Sequence, residues 1–188
     1  PPLLHPRALA SQCHALLLDA HEYVRDAELT SIFSALPRSG VVKLHLLHVV
    51  LTIPNVARLA AAIAQSPALR VVHLHNLELE DAGIVILCRA LLDNQRITDL
   101  TLSQSHFIFI PQSKAANDDG SDGTGSAASA GLDLVAARAL RKLLVEHSSL
   151  MMVDFRGTRL GMLGVAAVAS AIRYNRHRLI GVNIQQTG

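Results

Sequence analysis

Aromatic residues are nearly absent from this chain, and their scarcity excludes a core assembled around a few large rings. They make up 3% of the 188 residues and include no tryptophan, although half of all residues are hydrophobic. The apolar mass therefore consists mainly of leucine, isoleucine, valine and alanine. Aliphatic side chains of similar size suit a layered core in which one small unit is repeated.

Charge is also scarce, and its distribution argues against a nucleic-acid partner. Charged residues make up 17% of the sequence and the formal net charge is +2, whereas a soluble domain usually carries about a quarter. The basic residues are scattered rather than clustered, so the sequence indicates no nucleic-acid partner. No apolar run approaches the roughly 20 residues that cross a bilayer, so we expect no membrane partner.

Cysteines and catalytic motifs are few or missing. Only Cys13 and Cys88 are present. Each falls at an apolar position of the repeat, so we expect both to be small buried hydrophobes in a reducing, intracellular compartment. The sequence contains no phosphate-binding P-loop, no HExxH zinc motif and no nucleophile elbow. We therefore expect no enzymatic activity and no cofactor.

One apolar pattern recurs along most of the chain. In its clearest copy, which starts at Leu69, apolar residues occupy positions 1, 4, 6, 9, 11, 19 and 23, and Gly83 occupies position 15. Copies start at residues 13, 41, 69, 97, 150 and 179, so that the spacings are 28, 28, 28, 53 and 29 residues. The long interval is one repeat plus an insertion, because residues from about 112–131 are rich in Gly, Ser and Asp and are predicted to be disordered.

The period of the apolar residues changes within each unit. They alternate in the first half, as in a short strand, and are spaced by three and four in the second half, as in Leu59 and Ile63. One strand and one helix per unit predict an α/β fold of parallel strands with helices outside. The pattern resembles the ribonuclease-inhibitor type of leucine-rich repeat, which implies a horseshoe-shaped solenoid with parallel strands on the concave face and helices on the convex face.

The repeat domain of six units is expected to cover residues 13–188, preceded by a partial cap at residues 1–12. The last unit provides a strand without a helix, so we expect further polypeptide or a partner to continue the stack. At position 9 the family places Asn or Cys, whose side chains satisfy backbone groups in the turn. Val49, Leu77 and Thr158 stand there instead, which predicts a polar ladder that is interrupted in the middle.

Strand alternation predicts which side chains face a partner. Positions 1, 4 and 6 point into the core, whereas positions 3, 5, 7 and 8 face outward on the concave surface. The N-terminal half of that surface combines histidines with Leu17, Leu47 and Val71, and the C-terminal half is mixed polar, which suits a peptide or protein ligand. The predicted partner-binding residues are His45, His48, His73, His75, Asp99, Thr101, Asp154, Arg156, Asn183 and Gln185.

The histidines of this surface allow three interpretations. His73 and His75 share one face of a strand, and His45 would lie beside His73, about 5 Å away across the sheet. Converging imidazoles can bind zinc, and adjacent imidazoles that titrate near pH ~6.5 would repel one another when protonated. A metal site normally includes carboxylates that orient the imidazoles, and the nearest is Asp99. Contact with a partner is therefore the favoured interpretation, and no metal is predicted.

Three segments carry a narrower resemblance. Residues 42–46, 82–88 and 184–188, together with an expanded repeat after Ile110, are similar to the leucine-rich region of the family of the centrosomal protein of 78 kDa. That resemblance implies a centriolar or ciliary location and regulation of a ubiquitin ligase. The predicted function is a non-catalytic scaffold or structural subunit of a larger assembly in the cytoplasm or cytoskeleton. The alternative is a regulatory receptor that binds and controls an enzyme through its concave face.

Overall fold

Strands and helices alternate along the chain. The computed structural model describes residues 14–20, 24–104, 106–108, 132–175 and 178–187. Cys13, the segment 1–12 and the insertion at about 112–131 lie outside the described residues. The strands are β1 Ala15–Asp19, β2 Lys43–Leu47, β3 Val71–His75, β4 Glu78–Glu80, β5 Asp99–Thr101, β6 His106–Ile108, β7 Met152–Asp154 and β8 Gly181–Asn183. The helices are α1 Asp26–Ala35, α2 Ile53–Gln65, α3 Asp81–Asp93, α4 Leu134–Glu146 and α5 Gly161–Tyr174, with a short 3₁₀ turn at Leu36–Arg38.

Six strands form one parallel sheet in the order β1-β2-β3-β5-β7-β8, and β4 pairs with β6 in a second, two-stranded ladder. The first residues of the six strands are 28, 28, 28, 53 and 29 positions apart, which are the spacings of the sequence repeat. Equivalent positions of neighbouring units pair directly, as in Leu44 with Val72 and Val72 with Leu100. A helix in each connection returns the chain to the same end of the sheet, as parallel pairing requires. The predicted α/β class with a parallel sheet is confirmed.

The core lies between the six-stranded sheet and the helices. Strand side chains alternate, so that Leu44 and Leu46 are buried while Lys43 and His45 point to the opposite face. The helices contribute apolar residues at three-and-four spacing, such as the fully buried Leu59 of α2. Consecutive helices from α1 to α5 pack against one another in chain order. Each unit is therefore buried mainly by its two neighbours.

Cys88 lies on α3 and is buried in this core as a free cysteine. Burial raises the pKa of its thiol to about 12. The reactive thiolate is therefore negligible at neutral pH, and Cys88 is no nucleophile. The prediction that Cys88 is a small buried hydrophobe is confirmed.

The turns after the strands contain a left-handed residue at position 8 of five units. These residues are His48, Asn76, Gln104, Gly157 and Gln186, and their φ angles lie between 51° and 71°. Residues other than glycine rarely adopt this backbone conformation, so the surrounding hydrogen bonds must hold it in place. The N–H of His48 donates to the carbonyl oxygen of His75 at 3.1 Å, and that of Asn76 donates to Ser103 at 3.0 Å. These backbone hydrogen bonds link the turns of neighbouring units.

Position 9 follows directly in these turns. Val49 and Leu77 are buried there as core residues. In the last two units the side chain is a threonine, and the Thr158 hydroxyl donates to the carbonyl oxygen of Phe155 at 2.5 Å. Thr187 makes the equivalent bond to Ile184 at 2.9 Å. Position 9 therefore carries hydroxyl contacts within the turn in the last two units, while the second and third units fill the same place with apolar packing.

Buried amide side chains link the carboxyl ends of neighbouring helices. The Nδ2 group of Asn94 donates to the carbonyl oxygens of Ile63 at 2.7 Å and Ser66 at 2.9 Å. The Nδ2 group of Asn175 donates to the carbonyl oxygen of Leu144 at 2.7 Å. The last carbonyls of a helix have no partner within it, so each amide satisfies groups that the preceding unit leaves open.

The fully buried His147 also links two neighbouring units. Its Nδ1 accepts the N–H groups of Ser149 at 3.3 Å and Leu150 at 3.1 Å. The imidazole proton must therefore lie on Nε2, which donates to the carbonyl oxygen of Asn94 at 3.1 Å. Burial lowers the pKa of His147, and hydrogen bonding to the backbone of Asn94 and Leu91 opposes that shift. A second proton on Nδ1 would point at the two N–H groups that this atom accepts, so the folded state keeps the imidazole neutral.

We expect acid to destabilise the fold through His147. Above about pH 6.5 the imidazole is neutral in both states, and below it the unfolded chain binds a proton that the folded chain excludes, so the free energy of unfolding falls by up to about 1.4 kcal/mol per pH unit. Urea unfolding from about pH 7.5 down to about pH 5 should give a shallower pH dependence for His147→Asn than for the wild type. His45→Asn, at a half-buried position, is the control and should remove less of the slope. Equal slopes for the three proteins would contradict this role.

Candidate functional site

The face of the sheet away from the helices carries the candidate site, which we call the open face. It consists of the strand side chains at positions 3 and 5 of each repeat unit. In the longer strands β1 to β3 it also includes position 7. Leu17 is 66% exposed on this face, whereas Leu47 and Val71 are half-buried. Direct pairing brings His45 beside His73, His73 beside Thr101, and Thr101 beside Asp154. One row of polar side chains therefore crosses the sheet.

Seven of the ten predicted partner-binding residues lie on strands of the open face. They are His45, His73, His75, Asp99, Thr101, Asp154 and Asn183. Arg156 and Gln185 lie in turns, because β7 and β8 have only three residues and end at position 5. His48 also lies in a turn, where its left-handed backbone turns the chain out of β2. The assignment of His48, Arg156 and Gln185 to the strand surface is corrected accordingly.

His48 contacts the first unit rather than the other histidines of the prediction. Its Nδ1 lies 3.0 Å from Oδ1 of Asp19, and both side chains are about one-third exposed. This contact is a hydrogen bond between exposed side chains of the first two units. His48 is therefore a residue that links the first two units at the rim of the open face.

The remaining three histidines form a compact cluster. The ring centroids of His45 and His73 are 4.5 Å apart, and those of His73 and His75 are 5.9 Å apart, both with edge-to-face geometry. Burial is the main cause that lowers the pKa of each imidazole, and neighbouring imidazoles or Lys43 lower it further. The hydroxyl of Ser103 contacts Nδ1 of His75. At neutral pH the cluster is thus an uncharged surface of polar rings.

The geometry does not bring these imidazoles into a metal cage. Among the residues that the structure describes, no group of three or more His, Cys, Asp or Glu side chains is arranged to hold a metal ion. Asp99 lies on β5, next to the strand of His73, and its charge raises the pKa of His73 against the larger lowering effect of burial. The cluster can therefore offer hydrogen bonds and stacking surfaces to a partner.

Asp154 and Asn183 each use one oxygen to end their own strand. Oδ1 of Asp154 accepts the N–H of Arg156 at 2.8 Å, and Oδ1 of Asn183 accepts the N–H of Gln185 at 3.1 Å. Nη2 of Arg156 lies a further 3.5 Å from Oδ2 of Asp154. Side chains of Asp and Asn that accept the backbone N–H two residues later form Asx turns. They orient the carboxylate and the amide on the open face, a role that strand alternation alone did not predict.

A pocket opens on this face across β3, β5, β7 and β8. Gly181 forms part of its wall, and a side chain there would meet the Sδ atom of Met152 at 2.6 Å, so the thioether occupies the space that glycine leaves. Met152 itself is 47% exposed. The polar residues that line the pocket are His73, Asp99, Thr101, Asp154 and Asn183.

Thr101 is the buried polar residue of this pocket. Its side chain is only 8% exposed, and its hydroxyl makes no hydrogen bond within the described part of the chain. Because no fully enclosed polar side-chain atom lacks a partner in that part, the Thr101 hydroxyl must open into the pocket that it lines. The predicted binding residue thus lies at the floor of the pocket rather than on the exposed surface.

We expect two threonine-to-valine changes to have different effects on stability. Thr101→Val removes a hydroxyl without a protein partner and should leave the free energy of unfolding unchanged or raise it by up to about 1 kcal/mol. Thr158→Val, the matched control, removes the buried hydrogen bond to Phe155 and should lower that energy by about 1 kcal/mol. Urea unfolding of both variants provides the measurement. A loss at Thr101 as large as that at Thr158 would contradict the assignment of a free hydroxyl.

The strand order, register and helix packing define the class of fold as a stack of repeated strand–helix units with a parallel sheet. No protein-family model and no curated protein matches the chain. A solved structure entitled Leiomodin-1 Actin-Binding Site 2 is similar in fold, with a TM-score of 0.60 over 91% of this chain and 85% of that chain. The sequences are 15% identical, so the likeness concerns the fold alone. None of the helices in the described ranges is long and apolar enough to cross a bilayer.

Proposed function

We propose that this protein is a non-catalytic protein-interaction module whose open face binds a protein or peptide partner. The observation that carries the proposal is the composition of that face. It combines the exposed apolar Leu17 and Met152 with the uncharged histidine cluster and a pocket of polar groups. Apolar anchors beside oriented polar groups are what protein interfaces use for affinity and specificity.

We further propose that the stack is a horseshoe-shaped leucine-rich repeat of the ribonuclease-inhibitor type. Paired strands lie about 4.8 Å apart, whereas packed helices need about 8–10 Å between their axes. A stack that joins both in every unit must curve, with its strands on the inner side. The open face is then concave and can surround a convex partner, which supports binding over several units at once.

The proposed role in the cell is that of a scaffold or structural subunit. The similar structure, by its title, contains an actin-binding site, which supports protein binding in general and a cytoskeletal setting for this chain. The resemblance of residues 42–46 and 82–88 to a centrosomal family narrows that setting to centrioles or cilia. A regulatory receptor that controls an enzyme, such as a ubiquitin ligase, would use the same face and would be distinguished by the identity of its partner.

The openness of this face supports the proposed absence of catalysis. A broad sheet surface leaves His73 and Asp154 in contact with water, whereas acid–base catalysis gains most of its strength in closed, dry sites. The carboxylate of Asp154 already accepts the N–H of Arg156. These residues are better suited to binding than to proton transfer.

The test is a comparison of partners captured by three forms of the tagged full chain. The first is the wild type, and the second, the open-face variant, carries His73→Ala, His75→Ala and Asp154→Ala on the open face and Arg156→Ala in the adjoining turn. The third is a matched control with four changes of exposed residues on the helices, namely Arg89→Ala, Arg138→Ala, Lys142→Ala and Glu146→Ala. Quantitative mass spectrometry of the captured proteins, with circular dichroism of each variant, measures binding and folding separately.

We expect the open-face variant to lose at least one stoichiometric partner while it remains folded. The helix variant should retain that partner, because its changes lie on the other side of the core. Loss from the helix variant alone, or identical partners for all three forms, would contradict the proposal. The identity of the lost partner decides between a scaffold and a regulator, since a cytoskeletal component supports the first and a single soluble enzyme supports the second.

A further inference from the structure

We propose that the pocket across β3, β5, β7 and β8 binds a cationic side chain, a lysine ammonium or an arginine guanidinium, of the partner. The inference rests on the proposed role of the open face and specifies the chemistry that it recognises. Three features of the pocket carry it: the charge of its lining, the free hydroxyl at its floor and the thioether at its side.

The charge of the lining favours a cation. Asp99 and Asp154 both line the pocket, and no lysine or arginine is among its lining residues. Oδ2 of Asp99 accepts the hydroxyl of Thr98 at 2.5 Å, which leaves its other oxygen available on the open face. His73 adds no positive charge at neutral pH, because burial and the adjacent imidazoles lower its pKa. A charged donor placed here gains hydrogen bonds stronger than those of a neutral group.

Arg156 is a resident cation beside the pocket. Its guanidinium lies 3.5 Å from Asp154 and is 53% exposed, so it holds the carboxylate only loosely from the turn. Asp99 and Asp154 lie on adjacent strands two residues out of register, which places their Cβ atoms about 7 Å apart. A partner cation between them can contact both carboxylates without displacing Arg156.

The Thr101 hydroxyl is an independent sign of a ligand. The residue is more than nine-tenths buried, shares β5 with Asp99, pairs directly with Asp154 on β7, and has no hydrogen-bond partner within the described residues. Because the hydroxyl opens into the pocket, a polar group that enters the pocket can supply the hydrogen bond that the protein does not. Its oxygen can accept one N–H of an ammonium or guanidinium that enters the pocket.

Met152 and Gly181 complete the pocket for a long basic side chain. The thioether of Met152 lies over Gly181 and is partly exposed beside the carboxylates. The three or four methylene groups of arginine and lysine pack well against such an apolar, flexible surface while the charged end reaches polar groups. A short cationic group would use the carboxylates but leave this contact unmade.

The test uses isotopically labelled full-length protein and small probes in a nuclear magnetic resonance titration. The cationic probes are the N-acetyl methylamides of lysine and arginine, and the neutral control is the same derivative of citrulline, which keeps the shape of arginine without its charge. The protein variants are Thr101→Val, Asp154→Asn and, as a control on the helical side, Glu146→Gln. Backbone amide shifts report where each probe binds and how strongly.

We expect saturable shifts at Thr101, Asp154 and Asn183 with both cationic probes, and about five-fold weaker binding with citrulline. Thr101→Val and Asp154→Asn should each weaken binding about three-fold or more, whereas Glu146→Gln should not change it. Equal binding of citrulline, shifts centred elsewhere, or no saturable shift at the highest soluble concentration would overturn the inference.

The outcome separates this inference from the proposed function. If the probes fail but the four open-face changes still abolish partner capture, the face binds its partner without a cation-selective pocket. If the probes bind as expected but partner capture is unaffected by those changes, the pocket is cation-selective and the proposed function is wrong. A partner that is lost from Thr101→Val combined with Asp99→Asn supports both.

Discussion

Replacement of Asn94 by alanine should lower the free energy of unfolding by about 3 kcal/mol. The Nδ2 group of Asn94 satisfies the buried carbonyl oxygens of Ile63 and Ser66, and its Oδ1 accepts the N–H of Arg96 at 3.2 Å. Alanine removes all three bonds, takes the donor from the enclosed carbonyl oxygen of Ser66, and leaves that of Ile63 with only the N–H of Ser66. Each buried polar group without a partner is destabilising by about 1–3 kcal/mol. Urea unfolding, monitored by circular dichroism, measures the change.

Asn175→Ala is the matched control for this prediction. Asn175 stands at the end of α5 and satisfies a single carbonyl oxygen, that of Leu144. The loss should therefore be about half as large, near 1.5 kcal/mol. Equal losses for the two variants would mean that the number of carbonyls satisfied does not set the stability of the stack.

Two glycine-to-alanine changes at position 15 should have opposite signs. Gly164→Ala should lower the free energy of unfolding by about 2 kcal/mol, because the new Cβ would lie 2.9 Å from the Cβ of the fully buried Leu160. Gly83→Ala should raise it by up to about 1 kcal/mol, because its Cβ would meet Val56 at an ordinary 3.6 Å. The two residues occupy the same place in their units and differ only in what surrounds them.

Thermal and urea unfolding of both glycine variants provide the check. Since both glycines lie in the first turn of a helix, the intrinsic gain from alanine is common to the pair, and the difference reports the steric contact at Leu160. Stabilisation of both variants would contradict the close packing of α5 against Leu160. Destabilisation of both would mean that Gly83 has a role that the space around it does not reveal.

The strands, their spacing and their inward faces could be predicted from the sequence because burial imposes a period on it. Leu44 and Leu46 alternate with Lys43 and His45, and the same alternation returns every 28 residues, so the register of parallel pairing follows from the repeat. The contact between His45 and His73 was predictable for that reason. Helices appear where the apolar spacing changes to three and four.

Other features depend on the backbone and on partners distant in sequence. The left-handed turn residues include His48 and Gln104. A glycine at these positions would have indicated a left-handed backbone, whereas histidine and glutamine do not. Asn94 and His147 bond to carbonyls of the preceding unit, and no local pattern distinguishes these two side chains from exposed ones. A polar residue recurs three positions before the repeat starts at 69, 97 and 150, namely Ser66, Asn94 and His147, and this recurrence is the signal that could have revealed the bonds between units.

The candidate site was only partly predictable for a related reason. Alternation placed Thr101 and Asp154 on the open face, but the depth of Thr101 depends on how its neighbours on β3 and β7 pack around it. The sequence predicts Arg156 on the strand surface because it occupies position 7 of its unit. The strand of its unit ends two residues earlier, where the Asp154 side chain binds the Arg156 N–H.

The most direct test of the account is hydroxyl-radical footprinting of the protein alone and in complex with its captured partner. Met152 reports on the open face, while Met162 and Tyr174 on α5 report on the helical side, and all three are exposed to the reagent in the free protein. The account predicts that partner binding protects Met152 and leaves the oxidation of Met162 and Tyr174 unchanged. Protection of Met162 and Tyr174 with Met152 still reactive would contradict the claim that the open face is the binding surface.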